Sequence, residues 1–277
     1  MTEGKFGYAL LLAYDGGRFS GFQIQNNART IQVELERAMR IVLRAGVRVQ
    51  CSGRTDAGVH ATGQVVSLHT DHAIEDGGRF CHSLNSLLPT AIVALQCCAT
   101  PPHFNARFSC MAREYEYLIY NGPVRPGFWM GKCLWVREPL DLPALNSELQ
   151  SILGEQDFAA FTRTEYREET TLRYMDIAEF RQIEDTLTRM QPIFALRVRA
   201  NAFLHNMIRI LVGTLLDRAR GKLATPLLDI IKSGDRKQAG FTAPPSGLYF
   251  RTAYYPPEFA QVPCLQTLPD YGYRRSP

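Results

Sequence analysis

Residues 52–61 hold the densest group of side chains in the chain that could do chemistry. The stretch reads Ser-Gly-Arg-Thr-Asp-Ala-Gly-Val-His-Ala, so two glycines bracket Arg54 and Asp56. Glycines at both ends suit a tight loop whose backbone approaches a ligand closely. From the residues alone, Asp56 is either a catalytic carboxylate beside a cation or the cap of a turn, with Arg54 a surface charge.

Other kinds of catalytic or binding loop are disfavoured because the residues that they require are missing. A phosphate-binding loop requires Lys and then Ser or Thr after its last glycine, where this chain has Val59 and His60. An aspartic protease would carry Asp-Thr-Gly or Asp-Ser-Gly twice, whereas this chain has a single Asp-Ala-Gly. Neither a Cys-x-x-Cys pair nor a dinucleotide-binding fingerprint occurs, so we expect no metal and no cofactor.

The composition fits a folded protein of one large domain or two lobes. The 277 residues are 45% apolar and 21% charged, and the net charge is +4. A charge this small permits a local basic patch without demonstrating nucleic-acid binding. The apolar run Ala9–Ala13 is too short for a signal peptide, and the most apolar helical pattern, 204–216, contains Arg209. We therefore expect a cytoplasmic protein that does not cross a membrane.

The elements around the loop follow from apolar spacing. A helix should start at Ile31, capped by Thr30 and stopped by Gly46. Residues 52–63 should form the loop itself. The other predicted elements of the first half are strands at 8–14, 47–51, 64–68 and 92–96 and a helix at 79–87.

The second half has a similar order of elements without visible repetition of sequence. The spacing predicts strands at 113–120, 175–181, 194–200 and 248–254 and helices at 144–153, 204–216 and from Pro226 to Gly234. Asp141 is the expected cap of the first of these helices. Gly213 is expected to let the second pack closely on the sheet.

Together these elements indicate an α+β fold of two ferredoxin-like, RRM-like lobes that share a mostly antiparallel sheet, with the active-site cleft between them. The N-terminal lobe, 1–104, would carry the loop with Asp56. The C-terminal lobe, 105–255, would complete the cleft, and a proline-rich extended tail is predicted over 256–277.

The segment Gly53–His60 resembles the signature of the tRNA pseudouridine synthase A family and matches it without a gap. The chain departs from the family pattern at three positions. It has Phe22 where the family usually has Trp, Asn105 where His is common, and Ala91 where Asp is frequent. These departures leave the RNA affinity and the fine positioning of the substrate open. Further patches follow in the family's order from about residue 8 to 254: Tyr14-Asp15-Gly16 with Gly21-Phe22-Gln23-x-Gln25, Leu84-Asn85 with Leu88-Pro89, Ala106-Arg107-Phe108-Ser109 with Arg113-x-Tyr115-x-Tyr117, Asp157-Phe158-x-x-Phe161, Asn201-Ala202-Phe203-Leu204 with Met207-x-Arg209, and Thr242-Ala243-Pro244-Pro245 with Gly247-Leu248-Tyr249.

The resemblance implies an isomerase that converts uridine to pseudouridine at positions 38–40 of the tRNA anticodon stem-loop after flipping the base from its stack. It also implies a homodimer. The main alternative is an RNA-binding protein that has kept the fold without catalysis. A remoter one is an aspartate-dependent hydrolase, which the missing second carboxylate motif disfavours.

In this interpretation Asp56 either attacks C1′ of the ribose or removes a proton from C2′. Both roles need an ionised carboxylate in a partly dry site, and a guanidinium at 4 Å would favour that form by roughly 4 kcal/mol at an effective dielectric of 20. Arg209, aligned with His205 and Gly213 at four-residue spacing, is predicted to pair with Asp56. Arg54 is predicted to contact RNA phosphate or to prop the target nucleotide out of its stack, although the two arginine roles could be reversed.

The resemblance assigns Tyr115 to the flipped uracil, on which it would stack and whose C5 proton it could move. Tyr117 falls on the same face of the strand by the period-two rule and is expected to pack across strands. The predicted RNA-backbone contacts are Arg18, Arg107 and Arg113.

Overall fold

The computed structural model describes residues 5–166, 170–184 and 191–268. The chain divides into two compact units, Met1–Arg113 with Phe250–Pro277, and Glu114–Tyr249. Within the described residues, the strands and α-helices follow in the order β1 (Phe6–Tyr14), α1 (Ile31–Leu43), β2 (Val49–Cys51), β3 (His60–Thr70), α2 (Gly77–Asn85), β4 (Ile92–Thr100), β5 (Ala112–Asn121), β6 (Leu134–Val136), α3 (Leu142–Gln150), β7 (Gly154–Asp157), β8 (Leu172–Ile183), β9 (Ile193–Ala200), α4 (Met207–Ala219), α5 (Leu227–Ser233), β10 (Leu248–Tyr255) and β11 (Gln266–Thr267).

The first unit is built on a sheet in which β1 lies between β3 and β4 and is antiparallel to both. Strand β10 lies on the other side of β3. The short strand β2 is antiparallel to β3, and β11 runs parallel to β10. Leu10 of β1 and Val66 of β3 stand directly opposite each other. Both are fully buried, so the centre of this sheet belongs to the apolar core.

The predicted order of the first half, strand, helix, strand, strand, helix, strand, is confirmed. Thr30 is the N-cap of α1, as predicted, and its side chain accepts a hydrogen bond from the amide of Val33. The helix ends at Leu43, before the predicted stop at Gly46, because Arg44 adopts a left-handed backbone with φ of 52°.

The predicted loop 52–63 is too long, because β3 already begins at His60. Ala61 pairs with Tyr14 of β1, so the backbone is committed to the sheet soon after the second glycine of the loop. The loop proper is therefore the segment 52–59.

The second unit contains strands in the order β5, β9, β8 and β7. Strand β8 is antiparallel to both β7 and β9, and β6 runs parallel to β5. Helix α3 has the predicted cap, since Asp141 accepts a hydrogen bond from the amide of Ala144. Helix α5 lies between Pro226 and Gly234 as predicted, and Gly234 ends it with φ of 62°.

Helix α4 begins at Met207, so the predicted start at 204 is wrong. Asn206 has a left-handed backbone with φ of 61°, which interrupts a right-handed helix. His205 consequently lies in the turn before the helix. The prediction that His205, Arg209 and Gly213 share one helix face is wrong for that reason.

Three short strands, β6, β7 and β11, escaped the sequence prediction. Strand β11 falls in the segment predicted as an extended tail, where Pro257–Phe259 also form one turn of 3-10 helix. Phe259 and Val262 of that segment are buried. The rest of the predicted tail, 269–277, lies outside the described residues.

These elements confirm the α+β class with mostly antiparallel strand pairing and five α-helices among the described residues. None of the described helices is long and apolar enough to cross a bilayer. The shared sheet of two lobes, the cleft, and the ranges 1–104 and 105–255 stay predictions.

Candidate active site

The loop that carries Asp56 connects β2 to β3 in the first unit. The amide of Val59 donates to the carbonyl of Asp56 at 3.1 Å and closes a turn. Gly58 occupies that turn with φ of 80°, a backbone conformation that L side chains rarely adopt. Asp56 is half-buried, whereas Arg54 is exposed. The two charged residues of the loop thus differ in exposure, with Arg54 the more accessible of the two.

Buried polar side chains of β1 and β3 form hydrogen bonds to this loop. The hydroxyls of Tyr14 and Thr55 are 2.8 Å apart. Gln64 donates through Nε2 to the carbonyl of Gly53 at 2.6 Å and accepts through Oε1 from the Ser52 hydroxyl at 2.6 Å. Burial raises the pKa of Tyr14, so its phenol keeps the proton. The residues next to Asp56 are therefore positioned by hydrogen bonds to buried side chains.

The segment 15–22 lies against the same loop at close range. A Cβ on Gly21, whose φ is 87°, would stand 2.6 Å from the Thr55 carbonyl, and one on Gly16 would stand 1.9 Å from the Val59 carbonyl. The amide of Phe22 donates to the Thr55 carbonyl at 3.0 Å. Only glycine permits these approaches. The sequence prediction had assigned no function to these glycines, although both occur in patches of the family pattern.

The predicted arginines of the first unit differ in exposure. Arg18, Arg54 and Arg107 are exposed, and the guanidinium of Arg107 lies over the Phe108 ring at 5.3 Å from its centroid. Arg113 is buried. Their predicted contacts with RNA stay predictions.

Three of these arginines affect the pKa of one buried thiol, that of Cys51. Burial raises the pKa of Cys51 to about 11, and the positive charges of Arg54, Arg107 and Arg113 oppose that rise. Arg113 also contacts the start of the loop directly, because its Nε donates to the Ser52 carbonyl at 2.9 Å. The residue that precedes the loop is therefore subject to positive charge from these arginines.

Tyr115 and Arg209 belong to the second unit. Tyr115 lies on β5, is 7% exposed, and meets the ring of Phe203 edge-on with centroids 5.1 Å apart. Tyr117 is fully buried and donates from its hydroxyl to the Pro244 carbonyl at 2.7 Å. Tyr117 is therefore a packing residue that also orients the segment 242–245.

Arg209 lies in the first turn of α4, where two hydrogen bonds fix the direction of its guanidinium. Nε donates to the Ala243 carbonyl at 2.7 Å, and Nη1 donates to Asn206 Oδ1 at 2.6 Å. The left-handed backbone that ends the turn before α4 thus also places the acceptor of Asn206 beside Arg209.

Close packing brings the segment 240–243 against α4. A Cβ on Gly213 would stand 1.8 Å from the Phe241 carbonyl, and one on Gly240 would stand 2.7 Å from Thr214 Cα. Gly213 therefore faces this segment, and the expectation that it packs on the sheet is wrong. The amide of Gly240 donates to the Thr214 hydroxyl at 2.9 Å.

The first unit offers a half-buried carboxylate on a loop held by buried hydrogen bonds, together with exposed arginines. The second unit offers a buried tyrosine and an arginine whose guanidinium direction is fixed. Carboxylate, tyrosine and arginine side chains are types that acid–base or nucleophilic chemistry on an anionic ligand uses. Across the described ranges, no group of three or more His, Cys, Asp or Glu residues is arranged to hold a metal ion.

The model of the family described as tRNA pseudouridine synthase matches residues 11–109 and 149–256, which is more than half of the chain. The chain belongs to the tRNA pseudouridine synthase family. Its enzyme class is accordingly that of the isomerases.

Proteins named tRNA pseudouridine synthase A resemble this family member over nearly their whole length. The protein from Leptospira biflexa is 40% identical over 252 residues, which cover 90% of this chain and 93% of the relative. The protein from Syntrophomonas wolfei is 40% identical over 89% of this chain and 96% of its own length. The protein from Shewanella baltica is 38% identical, with 93% and 95% covered.

The family match covers some of the predicted site residues and leaves out others. Asp56 and Arg209 lie within the matched ranges. Arg113 and Tyr115 lie between them, in the stretch 110–148. For this pseudouridine synthase, the roles of all four residues stay predictions.

Proposed function

We propose that this chain isomerises uridine to pseudouridine at positions 38–40 of the tRNA anticodon stem-loop, with Asp56 as the catalytic carboxylate. The observation that carries the proposal is the loop 52–59, in which Asp56 is half-buried and its neighbours Gly53 and Thr55 are held by hydrogen bonds to buried side chains. The family membership and the named relatives support the same reaction.

The reaction conserves the atoms of the substrate. The N1–C1′ bond breaks, the uracil rotates, and C5 bonds to C1′ while the C5 proton is released and N1 gains a proton. Asp56 either forms a transient bond to C1′ or removes a proton from C2′. Both routes use the ionised carboxylate, so the half-buried position of Asp56 serves either one.

Arg209 is proposed as the partner that keeps Asp56 ionised. Its guanidinium direction is fixed by Ala243 and Asn206, which lowers the entropic cost of forming an ion pair. Arg54 is exposed and is proposed to contact phosphate or to occupy the place of the flipped nucleotide. If Arg209→Ala kept turnover while Arg54→Ala abolished it, the two roles would be reversed.

Tyr115 is proposed to stack on the flipped uracil. Its edge-on contact with Phe203 fixes the plane of the ring, which is the property that a stacking surface needs. Tyr115→Phe keeps stacking and removes the hydroxyl, so it separates a stacking role from transfer of the C5 proton.

The remaining proposals concern the setting of the enzyme. Arg18 and Arg107 are exposed and are proposed to neutralise tRNA phosphates, which offsets the cost of unstacking a base. We also propose a cytoplasmic homodimer that needs no cofactor, because an isomerisation consumes no oxidant or reductant. The two-lobe fold with an active-site cleft belongs to the same proposal.

The test is tritium release from tRNA transcripts labelled at C5 of uridine, with uridine placed singly at position 38, 39 or 40. Wild type should release tritium, and Asp56→Asn should bind tRNA but release none. Asp71→Asn, which changes an exposed carboxylate of the same unit, should behave as wild type. A wild-type protein that binds tRNA and releases no tritium from any transcript would be the non-catalytic RNA-binding protein instead.

A further inference from the structure

Arg113 is a buried cation at the start of β5, only 8% exposed. A buried charge is costly unless hydrogen bonds compensate it. Arg113 has such compensation from main-chain carbonyls: Nε donates to Ser52 at 2.9 Å, Nη2 to Arg107 at 2.9 Å and Nη1 to Cys110 at 3.4 Å. A side chain engaged in this way is poorly placed to reach a phosphate in solvent.

The carbonyls that Arg113 binds belong to separate segments of the first unit. Ser52 is the first residue of the loop that carries Asp56, whereas Arg107 lies in the turn 105–109. A guanidinium is planar and its donors diverge at fixed angles, so hydrogen bonds from one group set the spacing of the segments it joins.

The turn 105–109 has its own internal support. Asn105 Oδ1 accepts hydrogen bonds from the amides of Arg107 at 3.0 Å and Phe108 at 3.1 Å. Asn105 Nδ2 donates to Gln50 Oε1 at 2.7 Å, and Gln50 lies on β2, just before the loop. The turn is thus joined to the approach of the loop through Asn105 and to the loop itself through Arg113.

The outer side of this turn carries Arg107 and Phe108. Arg107 is exposed, and Phe108 is 61% exposed. An arginine beside an accessible aromatic ring is a pair that RNA-binding surfaces use for phosphate and base contacts. The turn therefore offers a place where RNA could be held at a set distance from Asp56.

We propose that Arg113 is a positioning residue that fixes the loop 52–59 relative to the turn 105–109, so that RNA held at the turn meets Asp56 at the correct distance. The inference rests on the proposed function, and it replaces phosphate binding as the role of Arg113. Because a displacement of about 1 Å in an active site can cost about 100-fold in rate, loss of this spacing should affect turnover more than binding.

The experiment compares Arg113→Gln and Arg113→Lys in the tritium-release assay, with kcat and KM determined separately. Binding of the same tRNA is measured at several salt concentrations. Lysine keeps the charge but lacks the planar group of donors, so a positioning role predicts that both variants lose kcat by at least about tenfold, with KM within about twofold of wild type. The salt dependence of binding should not change.

Arg173→Gln is the matched control. Arg173 is a buried arginine of the second unit, 4% exposed, that donates through Nη1 to the carbonyls of Thr170 and Leu172 at 2.9 and 2.7 Å. Its substitution should lower the melting temperature and leave kcat within about twofold of wild type. Melting temperatures are measured first, and all assays are run at a temperature at which every variant is folded.

Two results would overturn the inference. In the first, Arg113→Lys retains wild-type kcat while Arg113→Gln binds tRNA more weakly with a salt slope reduced by about one, which is the signature of a phosphate contact. In the second, both variants keep wild-type kcat despite an active wild type, which leaves Arg113 a purely structural role. Absence of tritium release from wild type would instead refute the proposed function, and this inference with it.

Discussion

The two units position their candidate site residues by different means. In the first unit Asp56 lies on a loop whose shape depends on hydrogen bonds to neighbouring side chains. Gln64, for example, binds the backbone carbonyl of Gly53 and the side chain of Ser52. In the second unit Arg209 lies on a helix, which supplies its own backbone hydrogen bonds. There the decisive contact is the approach of Gly213 to the segment 240–243.

The difference predicts that deletion of a buried polar partner affects the two units differently. A loop lacks a repeating hydrogen-bond pattern, so each buried donor or acceptor that shapes it must find a particular partner, and deleting one atom leaves another unsatisfied. A helix keeps its own hydrogen bonds when a neighbour changes, but a contact at van der Waals distance has no room for an added methyl group. The loop 52–59 should therefore respond to deletions of its buried partners as well as to methyl groups added at Gly16 or Gly21, whereas α4 should respond mainly to additions.

The largest effect is expected for Gly213→Ala in the second unit. The new Cβ would lie 1.8 Å from the Phe241 carbonyl, so α4 or the segment 240–243 must move. We expect a loss of about 3 kcal/mol in the free energy of unfolding, measured by urea denaturation. The change goes against helix propensity, which alone would favour alanine by about 1 kcal/mol.

Gly46→Ala provides the comparison for that substitution. A Cβ on Gly46 would meet nothing within 4 Å, and its backbone is outside the positive-φ region. We expect unchanged stability or a gain of up to about 1 kcal/mol. A Gly213→Ala protein as stable as the Gly46→Ala protein would show that the contact with Phe241 does not set the helix position.

A smaller loss is expected for Gln64→Leu in the first unit. Gln64 is fully buried, and leucine is close to it in size, so the substitution mainly removes the bonds to Gly53 and Ser52. Leaving these groups unsatisfied should lower the free energy of unfolding by about 2 kcal/mol. The turnover of tRNA should fall as well, because the loop loses its support next to Asp56.

Gln150→Leu tests whether the loss is specific to the loop. Gln150 is exposed at the end of α3 and makes a weak bond of 3.5 Å to the Ala178 carbonyl. The expected change is below about 0.5 kcal/mol, with turnover unaffected. Equal effects of the two leucine substitutions would mean that the loop does not depend on its buried hydrogen bonds.

The same contrast explains which features could be predicted from the sequence. Elements whose ends are set by nearby residues were predicted well, such as α1 with its Thr30 cap and α5 with its Gly234 end. The start of α4 was not, because a hydrophobic pattern contains no information about the left-handed backbone of Asn206. The short strands β6 and β7 have too few residues to show a periodicity.

The support of the loop could not be predicted because its partners are distant in sequence. Tyr14 and Thr55, for example, are 41 residues apart and meet only in the folded sheet. Arg113 presents a different difficulty. Strand β5 is buried on both faces, so alternation along it does not distinguish an arginine directed to solvent from one that binds backbone carbonyls.

The smallest effect on the free energy of unfolding is expected from a pH change. The effect should be similar in the two units. Burial raises the pKa of Cys51 in the first unit and of Cys133 in the second to about 11, above the ordinary value of 9.0. Folding therefore favours the neutral thiols. Their contribution to stability is fully present below pH 9 and is lost as the pH rises through about 11.

The measurement is urea unfolding of wild type, Cys51→Ala and Cys133→Ala at pH 8 and pH 10. Each thiol should account for about 1 kcal/mol of the stability that wild type loses over this interval, so each alanine variant should lose correspondingly less. The alanine variants start from a lower stability because of the lost side chain, but the pH-dependent difference is free of that offset. A contradictory result would be that Cys51→Ala loses as much stability as wild type between pH 8 and pH 10 while Cys133→Ala loses less. The positive charges of Arg54, Arg107 and Arg113 would then offset the effect of burial on the pKa of Cys51. The surroundings of Cys51 would in that case be more electropositive than its raised pKa indicates.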